Sequence, residues 1–341
     1  MSVVVAAVLA ALSSPAPPAP ASIEHARIEV RSGMSPAAAL AEAAQTKGES
    51  WVGWSVAALP KAAEICCFDH RFKNAGCSLA ETKDSWGTHD DDVRPGRAEL
   101  YVLVRTTAGA PSRVRMVSPS CPVHGADRRL VWLGPVDAGA SLAVLDDLLD
   151  ARDEKVAENA MAAIAFHADP RADAPLARRA LDRAASEHAR EQAMFWAAQV
   201  RGRAGYKLVE GILGSDASGE IRQHAVFALT QSQLPEAPQR IKRVAVEDRD
   251  PEVRSQALFW LAQTNVEGAG EWIVSRLDAE QDEEVREQAV FALTQLRDGT
   301  DWLLDVLHSK RDPEIIRKAL FWLGQSKDPR ALAEIEKILD R

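Results

Sequence analysis

The heptapeptide Arg254-Ser-Gln-Ala-Leu-Phe-Trp260 decides the fold of this chain, because near-copies of it recur at an almost constant interval. Aligning the copies on their shared alanine gives intervals of 33, 32, 32, 32 and 30 residues. The aligned alanines are Ala160, Ala193, Ala225, Ala257, Ala289 and Ala319. Self-similarity at a fixed period of this length is typical of repeat architectures, in which each repeat forms one supersecondary unit.

Each repeat carries the pattern of two helices. Residues 271–277 and 301–307 have apolar side chains at i, i+3 and i+4, which is the spacing of an amphipathic helix. The turn Asp250-Pro-Glu252 leads into the heptapeptide, and Asp before Pro with Glu in the first turn is the chemistry of a helix start. About six such helix pairs in series predict an all-α solenoid over residues 137–341.

The segment Val253-Arg254-x-x-Ala257-Leu258-x-Trp260-Leu261-Ala262 and its sister segments resemble the second helix of HEAT repeats, especially the short bacterial kind. The resemblance covers about residues 140–341 and implies an α-α superhelix. In that family a turn Asp and a helix Arg form a ladder from repeat to repeat. The matching acids are Asp153, Asp250, Asp282 and Asp312, and the matching bases are Arg190, Arg222, Arg254 and Arg286. Ser186 and Ser218 replace the acid, and Ala157 and Ile316 replace the base, so we expect an incomplete ladder.

Two polar and aromatic columns run through the repeats. The Phe column is Phe195, Phe227, Phe259, Phe291 and Phe321, and the Gln column four residues later is Gln199, Gln231, Gln263, Gln295 and Gln325. Residues at i and i+4 share a helix face, so both columns are expected on one concave wall. We interpret them as a ridge that binds an extended peptide, with amides for its backbone and rings for its side chains. The alternative is that the rings stack between repeats and the Gln side chains only line the wall.

The Trp residues follow a different rule. Trp196, Trp260 and Trp322 alternate with Ala228 and Ala292 at one repeat position, which gives a two-repeat period near 64 residues. Large residues against small ones in alternate layers favour tight packing, so these Trp are predicted to be core. Trp272 and Trp302, in the partner helices, are predicted to be core as well.

Residues 22–136 have a different pattern, which predicts a small α+β domain. Ser35-Pro36 before an Ala-rich stretch is typical of a helix start. Residues 99–105 and 113–117 alternate in polarity around Ala108-Gly109, which predicts a β-hairpin, and residues 129–133 predict a further strand.

All four cysteines, Cys66, Cys67, Cys77 and Cys121, fall in this predicted domain. An even, clustered count favours two disulfides. A bridge between neighbours is strained, so Cys77 and Cys121 are each expected to take one of the adjacent pair, in either order. The alternative is a metal site that adds His70 and His124 to the thiolates, although the spacing fits no standard zinc pattern.

The amino terminus has the pattern of an export signal. Residues 3–12 are apolar, and Ala19-Pro20-Ala21 fits a cleavage site before Ser22, although Met1-Ser2 supplies no basic residue. We therefore expect residues 1–21 to be a signal peptide and the protein to be periplasmic or secreted. The longest apolar run is too short to span a membrane.

The remaining expectations concern function. The formal net charge of −9 argues against a nucleic-acid partner. The sequence contains no HExxH, GxSxG or phosphate-binding Gly loop, so we expect no enzyme activity, cofactor or metal. The leading hypothesis is an exported scaffold that binds a protein or extended peptide in the concave groove of the solenoid. Two alternatives are a lyase-like or other catalytic HEAT-repeat protein, and a metal-binding amino-terminal domain for which the solenoid is only a scaffold.

Overall fold

The structure is a computed structural model that describes residues 18–46, 48–67, 76–80, 86–88 and 98–339. The chain divides into two compact units, Met1–Arg171 and Ala172–Arg341. Most of the predicted signal peptide, residues 1–17, and the candidate ligand His70 lie outside the described residues.

The first unit combines strands with three α-helices in its described part. In chain order the elements are β1 (Ile23–Glu24), β2 (Arg27–Val30), α1 (Pro36–Ala44), β3 (Glu49–Ala57), β4 (Ile65–Cys67), β5 (Cys77–Ser78), β6 (Trp86–Thr88), β7 (Glu99–Thr107), β8 (Ala110–Val117), β9 (Val123–His124), β10 (Arg129–Pro135), α2 (Ala138–Leu148) and α3 (Glu154–Phe166). The predicted helix is α1, and Ser35 caps it by accepting a hydrogen bond from the amide of Ala38.

The centre of this unit is a five-stranded sheet in the order β2-β10-β3-β7-β8. Strand β10 is parallel to both of its neighbours, whereas β3, β7 and β8 are antiparallel. The predicted hairpin is β7–β8, and its turn residues Ala108 and Gly109 both have positive φ, at 49° and 84°. Two such residues in succession match the right-handed twist of the strands that they join.

The two faces of the sheet are buried in different ways. On one face, α2 packs against β3 and α3 packs against β8. The other face contributes Trp51, Leu103 and Trp132 to a cluster that contains all four cysteines. The predicted α+β region is therefore confirmed, with the cysteines in its core.

The second unit is helical throughout its described residues. Its helices are α4 (Asp173–Leu181), α5 (Glu187–Val200), α6 (Gly202–Ser215), α7 (Gly219–Gln231), α8 (Ala237–Glu247), α9 (Pro251–Gln263), α10 (Ala269–Ala279), α11 (Glu283–Leu293), α12 (Gly299–Leu307), α13 (Pro313–Gln325) and α14 (Pro329–Leu339). The odd-numbered helices from α5 to α13 carry the heptapeptide and stack in series as one row. The even-numbered helices pack behind them, as a solenoid requires.

The row is built on small buried residues and capped helix starts. In this unit the aligned alanines Ala193, Ala225, Ala257, Ala289 and Ala319 are all buried. Each helix of the row begins after a side chain that accepts a hydrogen bond from a backbone amide of its first turn; these N-cap residues are Ser186, Ser218, Asp250, Asp282 and Asp312. The predicted solenoid is confirmed.

The Trp prediction holds only in part. Trp196 is buried at 8% exposure, whereas Trp260 and Trp322 are only half-buried. Trp272 and Trp302 are also half-buried rather than core. The Trp272 ring lies under the cations of Lys242 and Arg276, each 5.4 Å from its centroid, and Trp302 donates a hydrogen bond from Nε1 to Asp298. These two rings cover the surface of the outer helices.

The Arg ladder exists, but of its four closest acids only Asp312 is among those expected. Arg222 donates from Nε and Nη2 to the two carboxylate oxygens of Asp248, each at 2.9 Å. The four pairs are Arg190–Asp216, Arg222–Asp248, Arg254–Glu280 and Arg286–Asp312. In each pair the acid follows the arginine by 26 residues.

The expected acids Asp153, Asp250 and Asp282 all serve as N-caps. Asp250 also lies 3.8 Å from Nη2 of Arg222, so the expected contact exists there, but Asp248 is the closer partner. The carboxylate that meets Arg222 stands two residues before the cap, at Asp248. The last repeat is two residues shorter. There the residue 26 positions after the arginine, Asp312, is also the N-cap, so one carboxylate fills both roles. Ser186 and Ser218 consequently leave no gap in the ladder.

Candidate binding groove

The Phe column forms a continuous aromatic ridge along the row of helices. Phe195 stacks on Phe227 with ring centroids 6.1 Å apart, and Phe259 stacks on Phe291 at 6.0 Å. Trp260 joins these pairs, because it lies 4.7 Å from Phe227 and 5.0 Å from Phe259. Spacings of this size are favourable for aromatic pairs.

The ridge is half-buried rather than part of the core. Phe195, Phe227, Phe259 and Phe291 are each partly accessible, and Phe321 at the end of the row is 53% exposed. The rings therefore stack on one another, as the packing alternative predicted, and also present an accessible surface. The two interpretations are compatible at these positions, and the binding role stays a prediction.

A groove of about 760 Å³ opens beside the centre of the ridge. Phe259 of α9 and Phe291 of α11 form its apolar wall. Its other lining residues are Gln223, Pro251, Glu252, Ser255, Gln256, Glu284, Glu287 and Gln288. Three amides, three carboxylates and one hydroxyl therefore surround two aromatic rings, and this combination suits a ligand with both apolar and polar groups.

The predicted Gln column lies along the ridge but does not line this groove. Gln263 donates from Nε2 to Oε1 of Gln295 at 2.9 Å, so two members pair with each other across repeats. Gln231 and Gln295 donate to the hydroxyls of the preceding Thr230 and Thr294. Gln199 is half-buried and Gln325 is exposed. The amides that line the groove belong instead to Gln223, Gln256 and Gln288. Each of these precedes the Phe of its helix by three or four residues, whereas the predicted Gln column follows the Phe by four.

Sequence reasoning missed the carboxylates of the groove. Glu252 and Glu284 stand seven residues before Phe259 and Phe291, and Glu220 and Glu314 hold the same position in α7 and α13. Seven residues are two helical turns, so each Glu shares a face with its Phe. The same spacing argument that found the Gln column therefore predicts this one. This Glu column was overlooked because the helix dipole also favours Glu in the first turn of a helix, which explained these residues without a binding role.

At the flanks of the groove, glutamates contact nitrogen atoms of side chains on the adjacent helices. Glu287 pairs with Lys318 of α13, and Glu191 of α5 lies 2.8 Å from Nε2 of His224. In contrast, the carboxylate of Glu252 meets an amide and, among the described residues, no cation: Nε2 of Gln223 lies 3.4 Å from it.

The cysteine cluster of the first unit forms a second candidate site. Its disulfides are Cys66–Cys121 and Cys67–Cys77, which settles the pairing that the sequence left open. The Sγ atoms of Cys67 and Cys121 are 3.8 Å apart, so the two bridges are adjacent. Intact disulfides offer no thiolate to zinc, and Nδ1 of His124 accepts a hydrogen bond from the amide of Ala126. The arrangement is that of a structural crosslink.

Residues 206–294 match the family model for HEAT repeats, which confirms the resemblance over the central repeats of the second unit. This segment includes every residue that lines the groove. The solved structure of the complex of CpcE and CpcF of phycocyanin lyase from Nostoc sp. PCC7120 matches with 18% sequence identity and a TM-score of 0.30. That match covers 54% of this chain and 76% of the other. No curated protein matches the chain.

No helix among the described residues combines the length and the apolar character needed to cross a bilayer.

Proposed function

We propose that this protein is a non-enzymatic repeat scaffold that binds an extended peptide, or an extended segment of a protein, along the row α5–α13. The observation that carries the proposal is the half-buried aromatic ridge with a groove of about 760 Å³ at its centre. Contiguous apolar surface that stays accessible in a folded protein often marks a binding site.

The groove provides both kinds of contact that an extended peptide needs. The accessible edges of Phe259 and Phe291 offer apolar contact to side chains. The amides of Gln256 and Gln288 are exposed, and each offers donors and an acceptor to peptide N–H and C=O groups. Repeats in series place such groups at regular intervals, which suits a ligand that is itself periodic.

We propose further that the protein acts outside the cytosol, in the periplasm or as a secreted protein. The two disulfides of the first unit support this location, because structural disulfides persist in oxidising compartments. The apolar leader at residues 3–12 supports it independently.

Binding to an array of random dodecapeptides tests the proposed function. We expect the wild-type protein to select a subset of the peptides. In the double variant Phe259→Ser with Phe291→Ser, we expect the affinity for these peptides to fall about tenfold or more. The matched control is Val246→Ser with Leu332→Ser, which removes two side chains that are 47% and 52% exposed on the outer helices α8 and α14.

A second variant tests the groove even if the Phe variant fails to fold. Gln256→Ala with Gln288→Ala alters only exposed side chains and is expected to weaken the same peptides with an unchanged melting temperature. Selection that survives both groove variants, or that is lost equally in the control, contradicts the proposal.

A further inference from the structure

The groove is negatively charged at its centre. Of its ten lining residues, three are glutamates and none is Lys, Arg or His. Glu252 and Glu284 are exposed, and no described Lys, Arg or His lies within ion-pair distance of either carboxylate. The groove therefore combines two accessible aromatic rings with the carboxylates of Glu252 and Glu284, which lack a cationic partner among the described residues, whereas the third carboxylate, that of Glu287, pairs with Lys318.

The negative charge continues along the row. Glu220 of α7, Glu252 of α9 and Glu284 of α11 hold the same position, about 10 Å along each helix from the Phe of that helix. Neighbouring packed helices lie about 8–10 Å apart, so these carboxylates repel one another through water. A cationic ligand that lies across the three helices relieves this repulsion.

We propose that the occupant of the groove is an extended peptide segment rich in Lys or Arg, an inference that rests on the proposed function. Each cationic head meets a carboxylate of the Glu220–Glu252–Glu284 column, and its alkyl stem lies against the rings of Phe259 and Phe291. The alkyl stems gain apolar contact with the rings, and the carboxylates supply the charge complementarity.

The spacing of the helices also sets the spacing of the cations. A polyproline II segment advances about 3.1 Å per residue and has three residues per turn, so side chains at i, i+3 and i+6 follow one another at about 9 Å on one face. This repeat matches the separation of packed helices. Cations at every third position therefore place one head on each of α7, α9 and α11.

Fluorescence polarisation with two labelled dodecapeptides tests the inference. The probe repeats Lys-Ala-Pro, and the comparison peptide has Gln in place of each Lys. We expect the wild-type protein to bind the Lys peptide at least tenfold more tightly at low salt, and the affinity to fall as salt is raised.

The decisive variant is Glu252→Gln with Glu284→Gln, for which we expect the affinity for the Lys peptide to fall about tenfold. The matched control, Glu271→Gln with Asp305→Asn, removes the same net charge from exposed positions on the outer helices α10 and α12 and is expected to stay within twofold of wild type. Equal losses in the two variants mean that only net charge is sensed, and this result overturns the inference.

Failure of this inference is distinguishable from failure of the proposed function. A protein that binds neither labelled peptide, or both equally, contradicts the preference for cations. If it still selects other peptides from the random array through Phe259 and Phe291, the groove remains a peptide site of different specificity. If the array selects nothing as well, both proposals fall.

Discussion

At the scale of single residues, a buried chain of hydrogen bonds links the sheet of the first unit to its helices. Nε1 of Trp54 donates to Oγ of Ser141 at 2.8 Å, and Oγ of Ser141 lies 2.9 Å from Nε2 of His167. The hydroxyl of Ser141 donates in this second bond, because Nδ1 of the neutral imidazole carries the proton and Nε2 is the acceptor. Nδ1 of His167 then donates to the carbonyl of Ala163 at 2.7 Å. The three side chains are essentially inaccessible. The sequence did not predict this chain, because 87 residues separate Trp54 from Ser141 and no local pattern connects them.

Ser141→Ala tests the importance of this chain. The variant leaves Nε1 of Trp54 and Nε2 of His167 buried without their partner, so we expect the free energy of unfolding to fall by about 1–3 kcal/mol. Urea unfolding measures the change. Ser32→Ala, at an exposed position of the same unit, is the control and is expected to change stability by less than about 0.5 kcal/mol. Equal effects in the two variants would show that the buried chain contributes nothing special.

At the scale of helices, the Arg ladder connects successive repeats of the solenoid. Its arginines were evident in the sequence, because they recur with the heptapeptide, but their partners were not. Each arginine reaches the turn before the next helix of the row. Only the structure shows that Arg222 lies closer to Asp248, at 2.9 Å, than to the cap residue Asp250, at 3.8 Å. Helix periodicity predicts which residues share a face, whereas the conformation of a turn decides which carboxylate the face meets.

The ladder carboxylates make the second unit sensitive to acid. Burial raises the pKa of Asp216, Asp248 and Glu280, but hydrogen bonds from the ladder arginines and from backbone amides outweigh burial and leave each pKa below its ordinary value. A carboxyl with a depressed folded-state pKa contributes stability above its unfolded-state pKa, about 4, and loses it as the pH falls through the folded-state value. We therefore expect the melting temperature of the second unit to fall steeply below about pH 4.

Asp248→Asn identifies the source of this acid sensitivity. The variant removes the carboxylate that accepts two hydrogen bonds from the buried guanidinium of Arg222 and leaves only Asp250, 3.8 Å away, as its charge partner. We therefore expect the free energy of unfolding to fall by about 3 kcal/mol at neutral pH, with a weaker dependence on pH below about 4. Asp278→Asn is the control, because its carboxylate meets Arg311 at the surface and is 60% exposed. An unchanged acid response in Asp248→Asn would assign the effect to other carboxyls.

At the scale of the whole molecule, the sequence pattern predicted two parts, but the boundary between the two compact units lies at a different residue from the predicted one. The predicted solenoid begins at residue 137, whereas the compact units divide at residue 171. Ala160 fits the repeat alignment, yet its helix α3 packs against β8 of the sheet. A repeat pattern shows that a segment is a helix with one buried face, but it does not say which neighbour covers that face.

The disulfides concentrate covalent crosslinks in the first unit, and their loops differ in length. Cys66–Cys121 closes a separation of 55 residues and Cys67–Cys77 one of 10. Chain entropy assigns about 4 kcal/mol to the longer loop and about 3 kcal/mol to the shorter one. We therefore expect Cys66→Ala with Cys121→Ala to destabilise the first unit more than Cys67→Ala with Cys77→Ala. Urea unfolding followed by near-ultraviolet circular dichroism ranks the two, and the reverse order would contradict the entropic explanation.

The aromatic ridge has a consequence for how such a chain can be lengthened. Its rings alternate in a unit of two repeats, because Trp260 bridges one stacked Phe pair to the next while Ala228 and Ala292 leave room at the positions between. Inserting one repeat would bring two large or two small residues together and break the ridge at the junction. Inserting two repeats would preserve it. An engineered protein with a longer ridge is therefore best assembled from cassettes of two consecutive repeats, joined at equivalent turns.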